Sequence, residues 1–240
     1  MKIKDLQLVR SRAEMERWPE GKFLVDTVNA HSFVLAQQDP NFADALQEAD
    51  ALLPDGISVV RAARWLKTEN APDEKIAGAD LFALEMDKLE KKGGTCFFLG
   101  SSPEVLNSIK FRAAEKYPHI RVETYSPPFK AFFSRAENLE MLKAIKKADP
   151  DLLWVGMTAP KQEKWLYDHW QELDIHCHTG AIGAVFDFFA GTQKRAPQKW
   201  IDLGLEWLYR LIQEPRRLAG RYLRDNPVFL WLVLKEKLFG

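Results

Sequence analysis

Residues 151–165 read DLLWVGMTAPKQEKW, and the character of the chain changes halfway through them. Leu152, Leu153, Trp154 and Val155 form a short apolar run with β-branched and aromatic members, the pattern of a strand buried on both faces. Gly156 ends the run. From Pro160 a second pattern begins, with Trp165, Leu166 and Trp170 at helical spacing. Proline suits a first helical turn because its missing N–H needs no partner there. Strand, tight turn and helix start make up the repeating unit of a parallel sheet. Such a turn can offer backbone N–H groups to an anion at the carboxyl ends of the strands. Gly156, Lys161 and Gln162 stand where it would meet a ligand, although an ordinary crossover has the same local pattern.

The same alternation recurs on both sides of this segment. Phe23, Leu24 and Val25 predict a strand followed by a helix over 33–48, which puts Thr27 and Asn29 at or just past a strand end. Asn29 and Ser32 could equally cap that helix. Ala51, Leu52 and Leu53 predict a strand that stops at Pro54-Asp55-Gly56, strong turn chemistry. Asp55 is then either a turn carboxylate or a base held at the mouth of the sheet. A polar loop over 67–75 leads to Gly78-Ala79-Asp80 and a helix over 81–91. Cys96 to Leu99 predict a buried strand, and Gly100-Ser101-Ser102 a hydroxyl-bearing turn into the helix over 105–117, a place for a phosphate but far from a GxGxxG fingerprint. A strand over 122–125 and an amphipathic helix over 137–147 complete the set. The expected fold is α/β: a Rossmann-like open, mainly parallel sheet flanked by helices. Right-handed crossovers would bring Thr27, Asn29, Asp55, Ser101, Ser102, Lys161 and Gln162 to one rim.

With 240 residues, 46% of them hydrophobic, the chain can build a sizeable core. Lys and Arg number 34 and Asp and Glu 34, a balance that argues against a nucleic-acid protein working through an overall basic surface. The 2 cysteines make no disulfide framework, so a reducing cytosol is expected. The charged N-terminus lacks the apolar stretch of a signal peptide, and the longest apolar run, 228–234, is far short of the roughly 20 residues of a spanning helix. His176-Cys177-His178 looks metal-binding at first sight. In a strand the cysteine would point away from the two histidines, so no metal is expected there. Asp187 is the only charge in AIGAVFDFFAG, and it is either paired with Lys194 or Arg195 or an acceptor for a ligand hydroxyl or base N–H.

From residue 196 the composition shifts, and the chain divides into a catalytic domain over 1–195 and a helical appendage over 196–240. Trp200, Trp207, Leu208, Tyr209 and Leu211 are interleaved with Arg210, Arg216, Arg217, Arg221 and Arg224. Over 206–240 seven Lys/Arg stand against four Asp/Glu. Packing against the body of the protein or a partner subunit explains the aromatic spacing; a surface of anionic lipid would also suit it. The arginines could serve as bidentate donors to a diphosphate.

The segments TVNAHS, LLPDGISVV, FFLGSS, DLLWVGMTAPKQEKW, TGAIGAVFDFFAGTQKRAPQKW and GLEWLYRLIQEPRRLAGRYL, in that order, closely resemble the WecG/TagA/CpsF family of bacterial glycosyltransferases. The resemblance runs from about Phe23 to the end. It implies an inverting transferase of glycosyltransferase family 26, acting at the inner face of the cytoplasmic membrane. Such an enzyme moves an N-acetylmannosamine-type sugar from a UDP donor to a polyprenyl-diphosphate-linked sugar. By the same resemblance Asp55 is the base, and Thr27, Asn29 and Gln162 line the site. Asp187 lies near the nucleotide, and Arg210, Arg217 and Arg221 reach the diphosphate and help dock the appendage on the membrane. No DxD-type motif stands in a suitable loop, so neither a metal nor another cofactor is expected. The chain departs from the common pattern at Ala77-Gly78-Ala79-Asp80, Gly156-Met157-Thr158 and Pro128-Phe129-Lys130. Two other functions share the sheet: a nucleotide-dependent oxidoreductase, which the missing glycine fingerprint disfavours, and a non-catalytic scaffold for polysaccharide enzymes.

Overall fold

A computed structural model describes all 240 residues except the side chain of Arg217. Six parallel strands form one sheet: β1 (Phe23–Val28), β2 (Ala51–Pro54), β3 (Gly94–Gly100), β4 (Ile120–Tyr125), β5 (Leu152–Gly156) and β6 (His178–Ala181). Their spatial order is β2-β1-β6-β5-β3-β4. The chain winds outward one way from β1 to β2 and the other way from β3 to β4. Strands β5 and β6 then fill the middle. The reversal opens a crevice outside the carboxyl ends of the central strands. β5 is buried along its whole length and β3 along all but its first residue, as apolar runs covered on both faces require.

The helices are α1 (Arg12–Met15), α2 (Ala30–Ala36), α3 (Pro40–Glu48), α4 (Ile57–Leu66), α5 (Gly78–Lys92), α6 (Pro103–Lys116), α7 (Arg135–Ala148), α8 (Lys161–His169) and α9 (Gly183–Ala190). After them come α10 (Gln198–Asp202), α11 (Glu206–Gln213) and α12 (Pro215–Phe239). The single helix expected over 33–48 is two. Asp39 caps the second by accepting from Phe42 N, and Pro40 occupies its first turn, so the backbone before the proline is extended. The last strand begins at His178, which leaves His176 exposed ahead of it. The His178 ring bonds Glu85 and the Pro19 carbonyl, and no cluster of three metal-ligating side chains exists among the described residues.

The appendage folds back along the body. Phe229 of α12 meets Phe33 of α2 edge-on at 5.5 Å, and Phe229 and Val233 are buried in the core formed by α2, α3 and α4. Glu236 accepts from Ile3 N and Lys4 N, and His31 pairs with the buried Asp225. Among the described residues no helix is long and apolar enough to cross a membrane.

Candidate active site

Asp55 follows β2 and immediately precedes Gly56, the N-cap of α4. It is not the cap itself, and no group among the described residues hydrogen-bonds its carboxylate. The polar loop that precedes α5 reaches Asp55 because Ile76 N donates to Pro54 O at the end of β2. Lys75 arrives with it. Lys75 forms a largely buried ion pair with Glu206 of α11, and Glu206 also lies 3.6 Å from Arg195 Nε. Arg195 in turn donates to Asp80 in the first turn of α5 at 3.3 Å, and Arg12 reaches Asp80 from the N-terminal segment.

These charges set the acidity of the cluster. Burial pushes the Asp55 carboxyl up to about 7, Glu206 and Asp80 add to the rise, and Lys75 and Arg210 oppose it. At Asp80 burial is outweighed by the Ala77 N–H, Arg195 and Arg12, which hold its carboxyl below the usual range. Two nearby aspartates are thus driven apart, one poised near neutrality and one firmly ionised. Arg210 lies 5.8 Å from the centre of the Phe188 ring, with its Nε buried and unpartnered.

Thr27 on the neighbouring strand and Asn29 just past its end flank Asp55. Thr27 pairs in register with Leu53, and a Cβ added at Gly56 would sit 3.2 Å from Asn29 Cβ. Asn29 does cap α2: its Oδ1 accepts from His31 N and Ser32 N, which leaves the Nδ2 end of the amide for the crevice. Around the rim, a Cβ at Gly78 would press into Ile182 at 2.9 Å and approach Thr27 at 3.7 Å. One at Gly183 would lie 2.7 Å from Gln162 Oε1. The Asp55 corner and the turn after β5 are therefore joined through adjacent residues along one rim of the sheet.

The turn after β5 is built differently from the expectation. Lys161 N and Gln162 N donate to Thr158 O, and Met157 N donates to Gln162 Oε1 at 3.1 Å, so these amides are not free for an anion. Gln162 is buried, and its Nε2 donates to Glu163. Lys161 Nζ donates to Lys130 O at 2.5 Å and covers the Phe133 ring, tying down the loop after β4. Gly100 and Ser101 have left-handed backbones, and Ser101 N donates to Gly156 O. They lie at the end of β3, four strand spacings or roughly 19 Å from β2, too far to act on the same atom as Asp55. Asp187 does not pair with Lys194 or Arg195; its carboxylate accepts from Thr192 Oγ1 at 3.2 Å. Arg221 acts electrostatically on His31, two residues from Asn29, and the side chain of Arg217 lies outside the described residues.

Lys75, Asp80, Arg195 and Glu206 were not singled out as site residues by sequence reasoning. Lys75 belongs to a loop that reads as solvated, and only its nearness to Gly78-Ala79-Asp80 hinted otherwise.

A parallel α/β sheet that gathers a weakly acidic carboxylate and several cations at its rim is the frame of an enzyme that handles an anionic, nucleotide-like substrate. The chain belongs to the glycosyl transferase WecG/TagA/CpsF family, whose model matches residues 1–240. It is 32% identical over 214 residues to an N-acetylglucosaminyldiphosphoundecaprenol N-acetyl-beta-D-mannosaminyltransferase of Bacillus subtilis (strain 168), covering 89% of this chain and 80% of that protein. It is 31% identical over 218 residues to a protein of the same name from Bacillus spizizenii, with 91% and 80% covered.

Proposed function

We propose that this glycosyltransferase moves an N-acetylmannosaminyl group from a UDP donor to an N-acetylglucosamine carried on a polyprenyl diphosphate, with inversion at the anomeric carbon. The names of the two relatives support the transferred sugar and the acceptor. The observation that carries the mechanism is the Asp55 carboxylate, which no described residue hydrogen-bonds and which burial raises to about 7 against the opposing charges of Lys75 and Arg210.

Asp55 accepts the proton of the acceptor hydroxyl as that oxygen bonds to the anomeric carbon, and a base with this acidity suits proton transfer near neutral pH. The bond to UDP breaks in the same step, and charge grows on the departing diphosphate. Lys75, Arg195 and Arg210 are the cations closest to hand, with Arg217 and Arg221 further along the appendage. We assign no metal to this step, and transfer should survive EDTA. Asn29 Nδ2 and Thr27 orient the sugar beside Asp55. The glycines at the ends of β3 and β5, with Ser101 and Asp187, border the far end of the crevice, where the nucleotide extends.

The appendage carries exposed Leu223, Leu230, Trp231, Leu234 and Leu238 along α12, with Arg224, Lys235 and Lys237 beside them. This stripe suits an anionic lipid surface, and with it a peripheral position on the inner face of the cytoplasmic membrane. Incubation with UDP-N-acetylmannosamine and a short-chain lipid-diphosphate N-acetylglucosamine tests the proposal. Transfer should occur with and without EDTA, and its absence with this pair while another UDP-sugar works would reassign the donor.

A further inference from the structure

Directly beneath the turn after β5, two carboxyl groups are buried without the partners that buried carboxylates require. Asp26 of β1 is fully buried, and neither of its oxygens has a hydrogen-bond partner. Glu163 in the first turn of α8 is 2% exposed; one oxygen accepts from Gln162 Nε2 at 3.0 Å and the other is unpartnered. Three of four carboxyl oxygens are therefore unpartnered inside the protein, a large cost if both groups were charged. Leu24, on the same strand face as Asp26, packs in one core cluster with Leu166, one turn after Glu163, which brings the two carboxyls to the same interface between β1 and α8. Glu163 adds to the rise at Asp26, and among the described residues no cation pairs with either group. On the elements packed around them, Lys164 of α8 is spent on Asp39 of α3, outside the pair.

We propose that Asp26 and Glu163 hold one proton between them, and that this singly charged pair is a positioning device that locks Gln162 onto Met157 N and so sets the turn lining the crevice. The chain of contacts is short. Glu163 accepts from Gln162 Nε2, which orients the amide so that Oε1 faces Met157 N. A charged acceptor strengthens that first bond, whereas a second negative charge beside it would have to be relieved by water entering or by the turn moving. Burial raises both carboxyls, Glu163 to about 7, in keeping with one retained proton. The proposal deepens the functional assignment of the crevice and rests on it only for the consequence in catalysis.

The sign of the linkage follows from the direction of the shifts. A carboxyl whose folded pKa lies above its unfolded value binds its proton more tightly in the folded state. Its contribution is therefore complete at acid pH and is lost as pH rises through the folded value. Wild-type thermal stability should accordingly decline between about pH 5 and pH 8, with the linked equilibrium changing by at most about tenfold per pH unit for one proton. Asp26→Asn removes one of the two titrating carboxyls and the like charge beside Glu163, keeps a polar partner of the same shape, and leaves burial alone to raise Glu163. It should make the decline shallower, with Asp55 and Glu163 still contributing to it, and keep the Met157 amide protected from hydrogen exchange above pH 8, where the wild type loses protection beyond the general base-catalysed rise.

Parallel stability and exchange profiles for the two proteins would overturn the proposal. Should Asp26→Asn fail to fold, carboxyl-carbon NMR of the wild type decides: one of the two groups should stay protonated to near neutrality, and two carboxylates already ionised at pH 5 would refute the pair. None of these measurements needs a substrate. A protein that shows the titration but transfers no sugar would leave the pair standing and remove the function assigned to the crevice.

Discussion

The two walls of the crevice follow opposite rules. Around Asp55 the polar groups are charged and come from four separate parts of the chain, and none among the described residues hydrogen-bonds the central carboxylate. In the turn after β5 the Thr158 carbonyl, the Met157 N–H and the Gln162 amide are neutral, come from neighbouring residues and are held by hydrogen bonds within the turn. A carboxylate that must accept a proton cannot be fully satisfied beforehand, whereas a wall that must keep its shape gains from saturation. The Asp55 side is thus where charge changes, and the Gln162 side is where geometry is kept.

Replacing Asp55 by Asn tests that division most severely. The amide keeps the volume and cannot take the proton, so transfer should fall by about 10³-fold, within the usual span for general-base catalysis. UDP affinity, read by calorimetry, should hold or improve, because a negative charge has left a site for an anion. Loss of UDP binding together with activity would mean that Asp55 only shapes the pocket. Full activity would favour a scaffold.

Phe229→Ala asks whether the Asp55 side depends on the appendage. The ring is buried against Phe33 at the base of α12, and its removal should cost about 3 kcal/mol by chemical denaturation, near the lower end for such truncations. α11 carries Glu206 and Arg210, so a loosened α12 should lower activity more than it lowers UDP binding. A smaller change belongs to the other wall. Gln162→Ala orphans Met157 N and strips Glu163 of its donor, which should cost about 1–3 kcal/mol. Its kinetic mark should be a raised KM for the donor, with the acidic limb of the pH profile unmoved.

How much of this was legible beforehand divides along the same line. The strands at 23–25, 51–53, 96–99 and 152–155 are visible because a strand covered on both faces must be a short apolar run, and the glycine and proline corners mark where each run ends. The break between α2 and α3 was missed because Asp39-Pro40 lies inside a continuous helical pattern. At the turn after β5 the residues were visible but not their bonding: a helix start with free amides and one with its amides consumed by Thr158 have the same local sequence. The charged cluster left almost no trace. Lys75 and Glu206 are 131 residues apart, and neither stands in a patterned stretch that would tie it to Asp55. Asn29 is a helix cap that also stands against Gly56, so capping leaves room for the ligand role that was weighed against it.

The finest test concerns Glu206, which touches no part of the acceptor in this proposal yet raises the Asp55 carboxyl through space. Glu206→Gln removes that negative charge and leaves Lys75 and Arg195 with a neutral partner, so Lys75 acts more fully on Asp55. The Asp55 pKa should fall. Because Asp55 must be ionised to accept a proton, kcat/KM rises with pH through its pKa, and the acidic limb should move to lower pH by less than about one unit, the scale of a single partly screened charge. The same change frees two cations for the diphosphate, so UDP should bind more tightly. A limb that stays in place with tighter UDP binding would make Glu206 a competitor for the phosphate site alone. A limb that moves upward would show that its main effect is to hold Lys75 beside Asp55, and the charged wall would then be as dependent on fixed contacts as the wall opposite.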